Sequence, residues 1–415
     1  MAIRNRLYPG PKQEVILQDH CGHARYVWNL AVEQQSWYWP GRACAPGYVQ
    51  RAHQLAEARS AASWLAAGSS SVQQQALRDF ETAMRAFFDP ANPAARPGFR
   101  SRRGVQGFAV RDTKARRVNR RWGEVWVPKC GWVRFRWTRP LAGKLGLARV
   151  TCDRAGRWHV SFPGPQPPIA RADRGGAVGV DRGVRTALVT SGGQHYRAPR
   201  ISDRRAARYL ALQRKLARQR KGSKRREATR HQMAVLSARV AGRRKDWAEK
   251  ISTRLVREND LIVLERLNTK GMTRRPVPQP DPGRPGAYLR NRARAKAGLN
   301  KAILGSCWGL LGQRLAQKGA ASGVTVLFVD PRFTSQQCHV CGHTQADNRE
   351  SQAVFRCQQC GHGDHADRNA ARNILARGLA AAGGDIPACA PGHGAVRPHQ
   401  PLATVSAAGT TPQAA

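Results

Sequence analysis

Acidic residues are scarce in this sequence. Of 415 residues, 26 are Asp or Glu against 71 Lys or Arg, so the formal net charge at pH 7 is +45. A soluble chain with that excess repels itself unless a polyanion neutralises it, which favours nucleic acid as the partner. The hydrophobic share of 41% is nevertheless typical of a folding sequence and argues against disorder throughout.

Long hydrophobic runs are also missing. No apolar run approaches the 18 or so residues that cross a bilayer, and Met1–Gly10 lacks the apolar core of a signal peptide. We therefore expect a cytoplasmic protein without a membrane partner. At about 100–200 residues per domain, the length predicts roughly two to four domains.

The cysteines do not show the spacing of a disulfide framework. Of the ten, four form two CxxC pairs within 23 residues, and the other six are scattered. In a reducing cytosol this pattern indicates one metal site plus buried thiols. The paired cysteines are Cys338, Cys341, Cys357 and Cys360; the scattered ones are Cys21, Cys44, Cys130, Cys152, Cys307 and Cys389.

The two CxxC pairs predict a zinc site. Zinc prefers four tetrahedral ligands and thiolates suit it, while the 15-residue interval leaves room for a β-hairpin. Gly342 and Gly361 follow the second cysteine of each pair, where a positive φ is often needed. Four thiolates close the site, so we expect a structural role. Four unrelated thiols are the alternative, and four histidines lie nearby as possible substitutes: His339, His343, His362 and His365.

The hydrophobic period changes along the chain. From residue 11 to about 95, apolar residues recur every three to four positions, which predicts a helical bundle ending at Asp89-Pro90. From about 105 to 162, apolar residues alternate with polar ones, which predicts a small β-barrel with a basic outer face. Residues 163–168 are Pro-rich and predict a linker.

An α/β pattern follows the linker. Short apolar strands are predicted at Ala177–Val180, Leu261–Leu264 and Val324–Val329, with one long helix through Leu299 and Leu315. Between Arg200 and Arg230 the chain has thirteen Lys or Arg and two acids. This stretch predicts a helical hairpin, broken at Lys221-Gly222-Ser223, whose basic face contacts nucleic acid; a merely solvated face is the alternative.

Three carboxylates stand at unusual places. Asp181 directly follows Ala177–Val180, Glu265 directly follows Leu261–Leu264, and Asp367 begins the last predicted helix. A carboxylate at the end of a buried strand costs about several kcal/mol unless a cation or donors compensate. If the three acids converge, they could hold two hard divalent cations that promote hydrolysis of a phosphodiester.

Each acid also has a simpler interpretation. Asp367 could be a helix N-cap, Asp181 a turn residue before Gly183, and Glu265 the partner of an arginine. Asp364 is near enough to compete with Asp367 for the same role. Spacing alone leaves these alternatives open.

In their order along the chain, the motifs resemble a known family. Gly179–Gly183 (GVDRG), Val263–Leu267 (VLERL), the four-cysteine segment and Asp367–Leu375 (DRNAARNIL) are similar to the split RuvC-like nuclease of the TnpB family. These are transposon-encoded RNA-guided nucleases ancestral to type V CRISPR effectors. The likeness runs from Arg6-Leu7-Tyr8-Pro9 to about Ala381 and includes Gln74–Phe80, Pro331–Gln336 and Arg220–Ser223. The sequence departs at Arg182 and Arg266, where the family commonly has an apolar and an acidic residue.

The resemblance implies a multidomain α+β and α/β fold. Its parts would be a wedge β-barrel (1–10 and 105–162), an inserted helical recognition domain (11–104), the linker (163–168), an RNase H-like (RuvC) nuclease domain (169–332 and 363–381), a zinc ribbon inserted in it (333–362) and a disordered tail (382–415).

The resemblance also implies the site residues. Asp181, Glu265 and Asp367 would be the catalytic acids and bind Mg2+, and the four paired cysteines would hold a structural Zn2+. Nucleic acid would be contacted by Gln74, Arg134, Arg136, Arg220, Lys221, Lys224 and Arg225.

The activity implied is that of a metal-dependent RNA-guided DNA endonuclease acting by two-metal-ion catalysis. Its partners would be a guide RNA and double-stranded DNA with a short adjacent motif, with base pairing reading the sequence. In a bacterial cell it would be associated with the nucleoid. Three alternatives share much of this pattern: a guide-dependent DNA-binding protein without cleavage, a compact type V CRISPR effector, and a transposase acting directly on transposon ends.

Overall fold

The computed structural model describes residues 2–38, 44–141, 145–165, 167–171 and 175–383. The predicted tail, 382–415, therefore lies outside the described residues except for its first two, and so does Gln166 of the predicted linker. The chain divides into two compact units, one of Met1–Gln166 with Arg200–Arg243 and one of Pro167–Pro199 with Arg244–Ala415. Arg200–Arg243 thus group with the first unit, whereas the sequence analysis places them in the nuclease segment.

The first unit begins with a strand and a set of helices. These helices are α1 (Pro11–Ser36), α2 (Tyr48–Ala61), α3 (Ser63–Ala67) and α4 (Ser70–Phe88). Pro11 starts α1, where its missing N–H would be unpaired in any case. α4 ends directly before Asp89-Pro90, as predicted, because a residue before proline avoids helical geometry.

Seven strands of the first unit form one antiparallel sheet. They are β1 (Ala2–Tyr8), β2 (Gln106–Arg111), β3 (Ala115–Arg117), β4 (Trp122–Val127), β5 (Gly131–Arg136), β6 (Leu147–Cys152) and β7 (Trp158–Pro163), in the order β2-β6-β7-β1-β5-β4-β3. In β5, Val133 and Phe135 are buried while Arg134 is exposed, as the period of two predicts. The inward side chains and the helices share one hydrophobic core.

This sheet is open, which corrects the prediction of a closed barrel. Among the strands that the structure describes, β2 and β3 end the order and do not pair with each other. Between them the chain turns at Asp112, whose φ is 51°, and the backbone N–H of Thr113 donates to the Gly146 carbonyl at 3.3 Å. This bond continues the pairing of β2 with β6 beyond Arg111 and Leu147.

A helical hairpin begins in the first unit, and its second helix continues past Arg243 into the second unit. α5 spans Asp203–Arg218 and α6 spans Lys224–Glu258. The break between them contains Gly222 at a φ of 88°, a conformation that glycine adopts without strain. The predicted interruption at Lys221-Gly222-Ser223 is confirmed.

The second unit contains a five-stranded mixed sheet. Its strands are β8 (Ala177–Asp181), β9 (Leu188–Thr190), β10 (His195–Tyr196), β11 (Leu261–Glu265) and β12 (Thr325–Val329), in the order β10-β9-β8-β11-β12. β11 pairs in parallel with both β8 and β12. All five residues of β11 are buried, as expected of a central parallel strand.

The helices of the second unit include one correction. They are α7 (Thr269–Met272), α8 (Ala293–Gly305), α9 (Trp308–Ser322) and α10 (Ala366–Ala381). The predicted long helix is two helices, because Cys307 has a φ of 63° and starts α9 anew. Of all helices in the described ranges, none combines the length and apolarity needed to cross a membrane.

The cysteine segment contains a short hairpin of β13 (Val354–Arg356) and β14 (Gly363–His365). The prediction left room for a hairpin between the two CxxC pairs. In the structure the hairpin instead encloses the second pair, since β13 precedes Cys357 and β14 follows Cys360.

Candidate active site and four-cysteine cluster

Asp181 and Glu265 end neighbouring parallel strands. β8 and β11 pair with Val180 opposite Leu264, so the next residue of each strand is the carboxylate. Because parallel strands run in one direction, both acids lie at the same edge of the sheet. The fold thus brings together two acids that are far apart in sequence.

Asp367 reaches this edge from α10. A Cβ atom on Gly179 would collide with the carbonyl oxygen of Ala371, so α10 packs directly on the backbone of β8. Ala371 and Asp367 are one helical turn apart and share a face of α10. Gly179 and Asp181 are likewise two residues apart on one face of β8, so this contact places Asp367 beside Asp181.

Burial and the other two carboxylates perturb Asp181. Burial, and then the charges of Glu265 and Asp367, raise the pKa of Asp181 to about 8. Burial also raises the pKa of Glu265, whose exposed fraction is 6%. Such a cluster of oxygen ligands with unfavourable mutual repulsion fits a hard divalent cation, which would remove the repulsion.

The cluster is wider than a single-ion cage. Among the described residues, the oxygens of the three acids do not meet the 4.8 Å mutual separation that the four cysteine sulfurs do. Two cations in a nuclease site lie about 3.5–4 Å apart, so their ligands must span more than one ion. The spread is therefore compatible with a two-metal site.

Neighbouring side chains contact Glu265 and Asp367, but only the carboxylate of Asp367 has a cationic partner among the described residues. The hydroxyl of Thr334 lies 2.7 Å from Oε1 of Glu265, and Arg182 donates to the backbone carbonyl of Glu265. Arg349 lies 3.3 Å from Oδ1 of Asp367. In the part of the chain that the structure describes, neither Asp181 nor Glu265 forms an ion pair within 4.0 Å.

The geometry bears on the simpler interpretations of each acid. The N-cap of α10 is His365, whose Nδ1 accepts from the backbone N–H of Asp367, so Asp367 itself is not the cap. The side chain of Asp364 is fully enclosed and pairs with Arg368 and Arg372. Its oxygens are thus already engaged, and Asp367 is the better candidate ligand.

The four paired cysteines form a compact cluster. Their sulfurs all lie within 4.8 Å of one another, with Cys338 3.8 Å from Cys360 and Cys341 3.6 Å from Cys357. Four sulfurs about 2.3 Å from a tetrahedral zinc are separated by roughly 3.8 Å. The cluster therefore has the dimensions of a zinc site.

Each CxxC pair is shaped by the same backbone turn. The N–H of Gly342 donates to the carbonyl of Cys338 at 3.0 Å, and the N–H of Gly361 donates to that of Cys357 at 3.0 Å. Gly342 and Gly361 have φ of 78° and 69°, as the sequence predicts.

Three of the nearby histidines, His339, His343 and His365, have hydrogen-bond partners other than the cysteines. His339 lies 3.0 Å from Oδ1 of Asn369 and 2.9 Å from Arg372, while His365 caps α10. His339 and His362 approach Asp364, but the arginines on Asp364 make that set a poor cation site. The cysteine cluster needs no histidine ligand.

The residues expected to contact nucleic acid differ in their exposure and in their side-chain partners. Gln74 is exposed on α4, between buried Gln73 and Gln75. Arg136 lies over the ring of Trp122 at 5.4 Å, and Arg134 is 3.4 Å from Glu124. Four further residues surround the turn between α5 and α6 and are all exposed: Arg220, Lys221, Lys224 and Arg225.

The sequence analysis missed two partners of predicted site residues, Glu124 beside Arg134 and Thr334 beside Glu265. Glu124 is 9% exposed on the outer face of the first sheet and pairs with Arg116 at 2.7 Å, so part of that face's charge is neutralised. Its position among outward residues of β4 was the available signal. Thr334 was noticed only as part of a motif, and nothing in its spacing identified Glu265 as its partner.

Comparison with known proteins decides the family. The putative RNA-guided DNA endonuclease InsQ of Escherichia coli (strain K12) is 32% identical over 389 residues, 91% of this chain and 92% of that protein. This chain belongs to the TnpB family. A putative RNA-guided DNA endonuclease of Streptomyces pristinaespiralis is also 32% identical, over 92% of this chain and 90% of that protein. The resemblance noted from the motifs is confirmed.

Family models match three segments of this TnpB-family chain. They are described as "Helix-turn-helix domain" (residues 1–42), "Probable transposase" (162–275) and "Cas12f1-like, TNB domain" (308–374). Among solved structures, the Cas12f1-sgRNA-target DNA complex aligns with 88% of this chain and 83% of that chain, at 12% identity and a TM-score of 0.46. The architecture of the chain is a mixed α/β, multidomain one with open sheets.

Proposed function

We propose that this chain is a transposon-encoded RNA-guided DNA endonuclease that cleaves guide-matched DNA through Asp181, Glu265 and Asp367. Homology along nine-tenths of its length to proteins named as putative RNA-guided DNA endonucleases supports the reaction class. The observation that carries the proposal is the convergence of three carboxylates at one sheet edge, where burial and then the charges of Glu265 and Asp367 raise the pKa of Asp181.

In this proposal the acids are ligands for Mg2+. When bound, the metal supplies charge stabilisation for hydrolysis of a phosphodiester. Asp181 and Glu265 present their oxygens from adjacent strand ends, and Asp367 presents its own from the first turn of α10. Pairing of β8 with β11 fixes the backbone that carries Asp181 and Glu265.

The cysteine cluster would hold Zn2+ in a structural role. Four thiolates fill the tetrahedral set and leave no open position for substrate. The ribbon, residues 333–362, would then be stabilised by metal, because it has few buried apolar side chains of its own. We assign the rest of the layout as a wedge sheet, a helical recognition region and a RuvC-like nuclease.

The partners in this proposal are a guide RNA and a double-stranded DNA target with a short adjacent motif. Pairing between RNA and DNA would read the sequence, while the protein contacts backbone phosphates. Arg220, Lys221, Lys224 and Arg225 support that role, since their exposed charges lie together around one turn.

The test is plasmid cleavage by the purified ribonucleoprotein in Mg2+. We expect a matched target to be cut, and Asp181→Asn to abolish cutting while RNA and DNA binding persist. The exposed Asp203, on α5, provides the matched control variant Asp203→Asn, which should cut normally. Loss of RNA binding in Asp181→Asn, or cutting retained in it, would contradict the assignment.

A guide-dependent DNA-binding protein that does not cut is the second candidate. The contact of Arg349 with Asp367 favours it, because a guanidinium there competes with a cation for that oxygen. Target DNA that is bound tightly yet stays intact at every Mg2+ concentration would favour this candidate over the nuclease.

A further inference from the structure

One arginine is buried on the opposite side of the sheet from the carboxylates. Arg182 directly follows Asp181 at the end of β8 and is 9% exposed. Successive residues of a strand point to opposite faces, so Arg182 shares the face of Val180, whose side chain packs in one core with Leu311 of α9. The sequence analysis noted Arg182 only as a departure from the family, which commonly has an apolar residue there.

Helix α9 covers the guanidinium group of Arg182. A Cβ atom on Gly312 would lie 4.0 Å from Nη1 of Arg182, so the backbone of α9 packs against this group. The indole N–H of Trp308 donates to the carbonyl of Gly183 at 3.2 Å and ties the next residue of the chain to the same helix. The guanidinium therefore cannot turn out into solvent unless α9 moves.

The contacts of Arg182 do not neutralise its charge. Nη2 donates to the backbone carbonyl of Glu265, and Nε is buried without a hydrogen-bond partner. Within the described residues, Arg182 forms no ion pair within 4.0 Å. An arginine side chain stays protonated in proteins, and a buried charge without a counter-charge is strongly destabilising. A compensating negative charge must therefore act on Arg182 from farther away.

The carboxylate cluster supplies this negative charge. Burial lowers the pKa of Arg182, and the charges of Glu265 and then Asp181 act against that shift. Burial likewise raises the pKa of Glu265, and the hydroxyl of Thr334 and then the charge of Arg182 act against that rise. The arginine and these two acids lack ion pairs of their own, so they compensate one another through space.

This compensation leaves the carboxylate oxygens free. Arg182 contacts the backbone of Glu265 from the face of α9, whereas the carboxylates lie on the face of α10. Arg349 differs, because it contacts Oδ1 of Asp367 itself and its side chain is 28% exposed, so it can withdraw when a metal binds. The charge of Arg182 therefore stays beside the site whether or not a metal is bound.

We propose that Arg182 is a fixed cation that weakens the affinity of the carboxylate cluster for a divalent metal ion. The inference rests on the proposed function, in which Asp181, Glu265 and Asp367 bind Mg2+. A positive charge held in one place attracts the carboxylates when no metal is present and repels the metal when one enters. Both effects disfavour the metal-bound state.

The test measures Mg2+ binding by calorimetry on the full-length, zinc-loaded protein without nucleic acid, at one fixed pH. Binding that Glu265→Gln abolishes is assigned to the carboxylate cluster. Arg182→Met keeps much of the side-chain length but removes the charge, so the dissociation constant should fall about tenfold. Arg182→Lys keeps a charge at the same place and should leave the constant within about twofold of the unaltered protein.

The matched control is Arg266→Met. Arg266 follows Glu265 as Arg182 follows Asp181, but it is exposed, so water and salt screen its charge. Its removal should leave the dissociation constant unchanged. An equal gain of affinity in both variants would mean that the net charge of the chain, and not the buried position of Arg182, sets the affinity.

The sign of the change separates this role from a purely structural one. If Arg182 only holds the end of β11 through the Glu265 carbonyl, its loss should loosen the ligands and weaken Mg2+ binding. Weaker or unchanged binding in Arg182→Met, or equal tightening in Arg182→Lys, overturns the inference. Zinc content and melting temperature show whether Arg182→Met folds; Arg182→Gln, which is neutral but keeps a donor for that carbonyl, should bind Mg2+ equally tightly.

The inference and the proposed function fail in different ways. If the unaltered protein shows no Mg2+ binding that Glu265→Gln abolishes, the metal site of the proposed function is wrong, and the inference is wrong with it. If that binding is present but does not respond to the charge of residue 182, only the inference is wrong. The readout is metal binding, so it does not depend on whether the chain cuts DNA.

Discussion

Two buried glutamates show how differently the two sheets treat the same side chain. Glu124 lies on the outer face of the antiparallel sheet and is 9% exposed; Glu265 ends a strand of the mixed sheet and is 6% exposed. A hydrogen bond from Arg116 lowers the pKa of Glu124, whereas burial raises the pKa of Glu265. Burial alone therefore does not distinguish a structural acid from a reactive one.

The difference lies in the partners. Glu124 has Arg116 at 2.7 Å and Arg134 at 3.4 Å, so its charge is already compensated. Glu265 has a hydroxyl partner and, within the described residues, no ion pair. An acid that keeps its charge uncompensated is available to a metal, and one between two arginines is not.

The largest loss of DNA cleavage should come from Glu265→Gln. The variant keeps the shape of the side chain but removes a metal-binding charge, so we expect target cleavage to fall about 10³-fold or more. Plasmid cleavage under matched guide and Mg2+ conditions measures this. Glu124→Gln is the matched control, and equal losses in both variants would remove the distinction between the two glutamates.

The next largest effect should be a loss of zinc affinity in the four-cysteine cluster. Cys338→Ser removes one of four sulfur ligands, so retention of zinc against a chelator should weaken by at least about tenfold, and the second unit should melt earlier. Metal analysis and thermal unfolding measure the two results. Cys44→Ser, at an exposed thiol outside the cluster, should retain full zinc; unchanged zinc in Cys338→Ser would contradict the ligand assignment.

A pH dependence should follow from Asp181 in protein that keeps zinc but lacks Mg2+. The folded pKa is about 8 and the ordinary value is 3.8, so between these values the folded state holds a proton that the unfolded state has released. The free energy of unfolding should therefore fall as pH rises from about 4 to 8. Thermal unfolding across this range measures the pH dependence, and Asp181→Asn should flatten it. An equally steep curve in that variant would mean that another group causes the pH dependence.

The smallest effect should be that of Glu124→Gln on stability. Its arginine partners are 57% and 68% exposed, so solvent screens the pairs, and the free energy of unfolding should fall by only about 0.5–1 kcal/mol. Urea unfolding measures this change. A loss of several kcal/mol would mean that Glu124 has a larger structural role than these exposed pairs indicate.

Much of the fold could be predicted from local pattern. The strand ends carrying Asp181 and Glu265, the break at Gly222 and the end of α4 follow from residue spacing and turn chemistry. The closed barrel was wrong, because β2 and β3 do not pair in the described structure. The unbroken helix was wrong, because Cys307 has a positive φ. Sequence periodicity does not predict a positive φ at a residue other than glycine.

The sequence by itself determined the kinds of chemistry available: an excess of positive charge, four thiolates in two knuckles, and acids at the ends of apolar strands. Only the tertiary structure decided which acidic side chains have a cation or a hydrogen-bond donor beside them. Thr334 meets Glu265 across 69 residues, and Asp364 rather than Asp367 is enclosed by two arginines. The attraction between an acid and a nearby cation acts through space and weakens with distance. The spacing of two residues along the chain fixes the distance between them only within a single strand or helix.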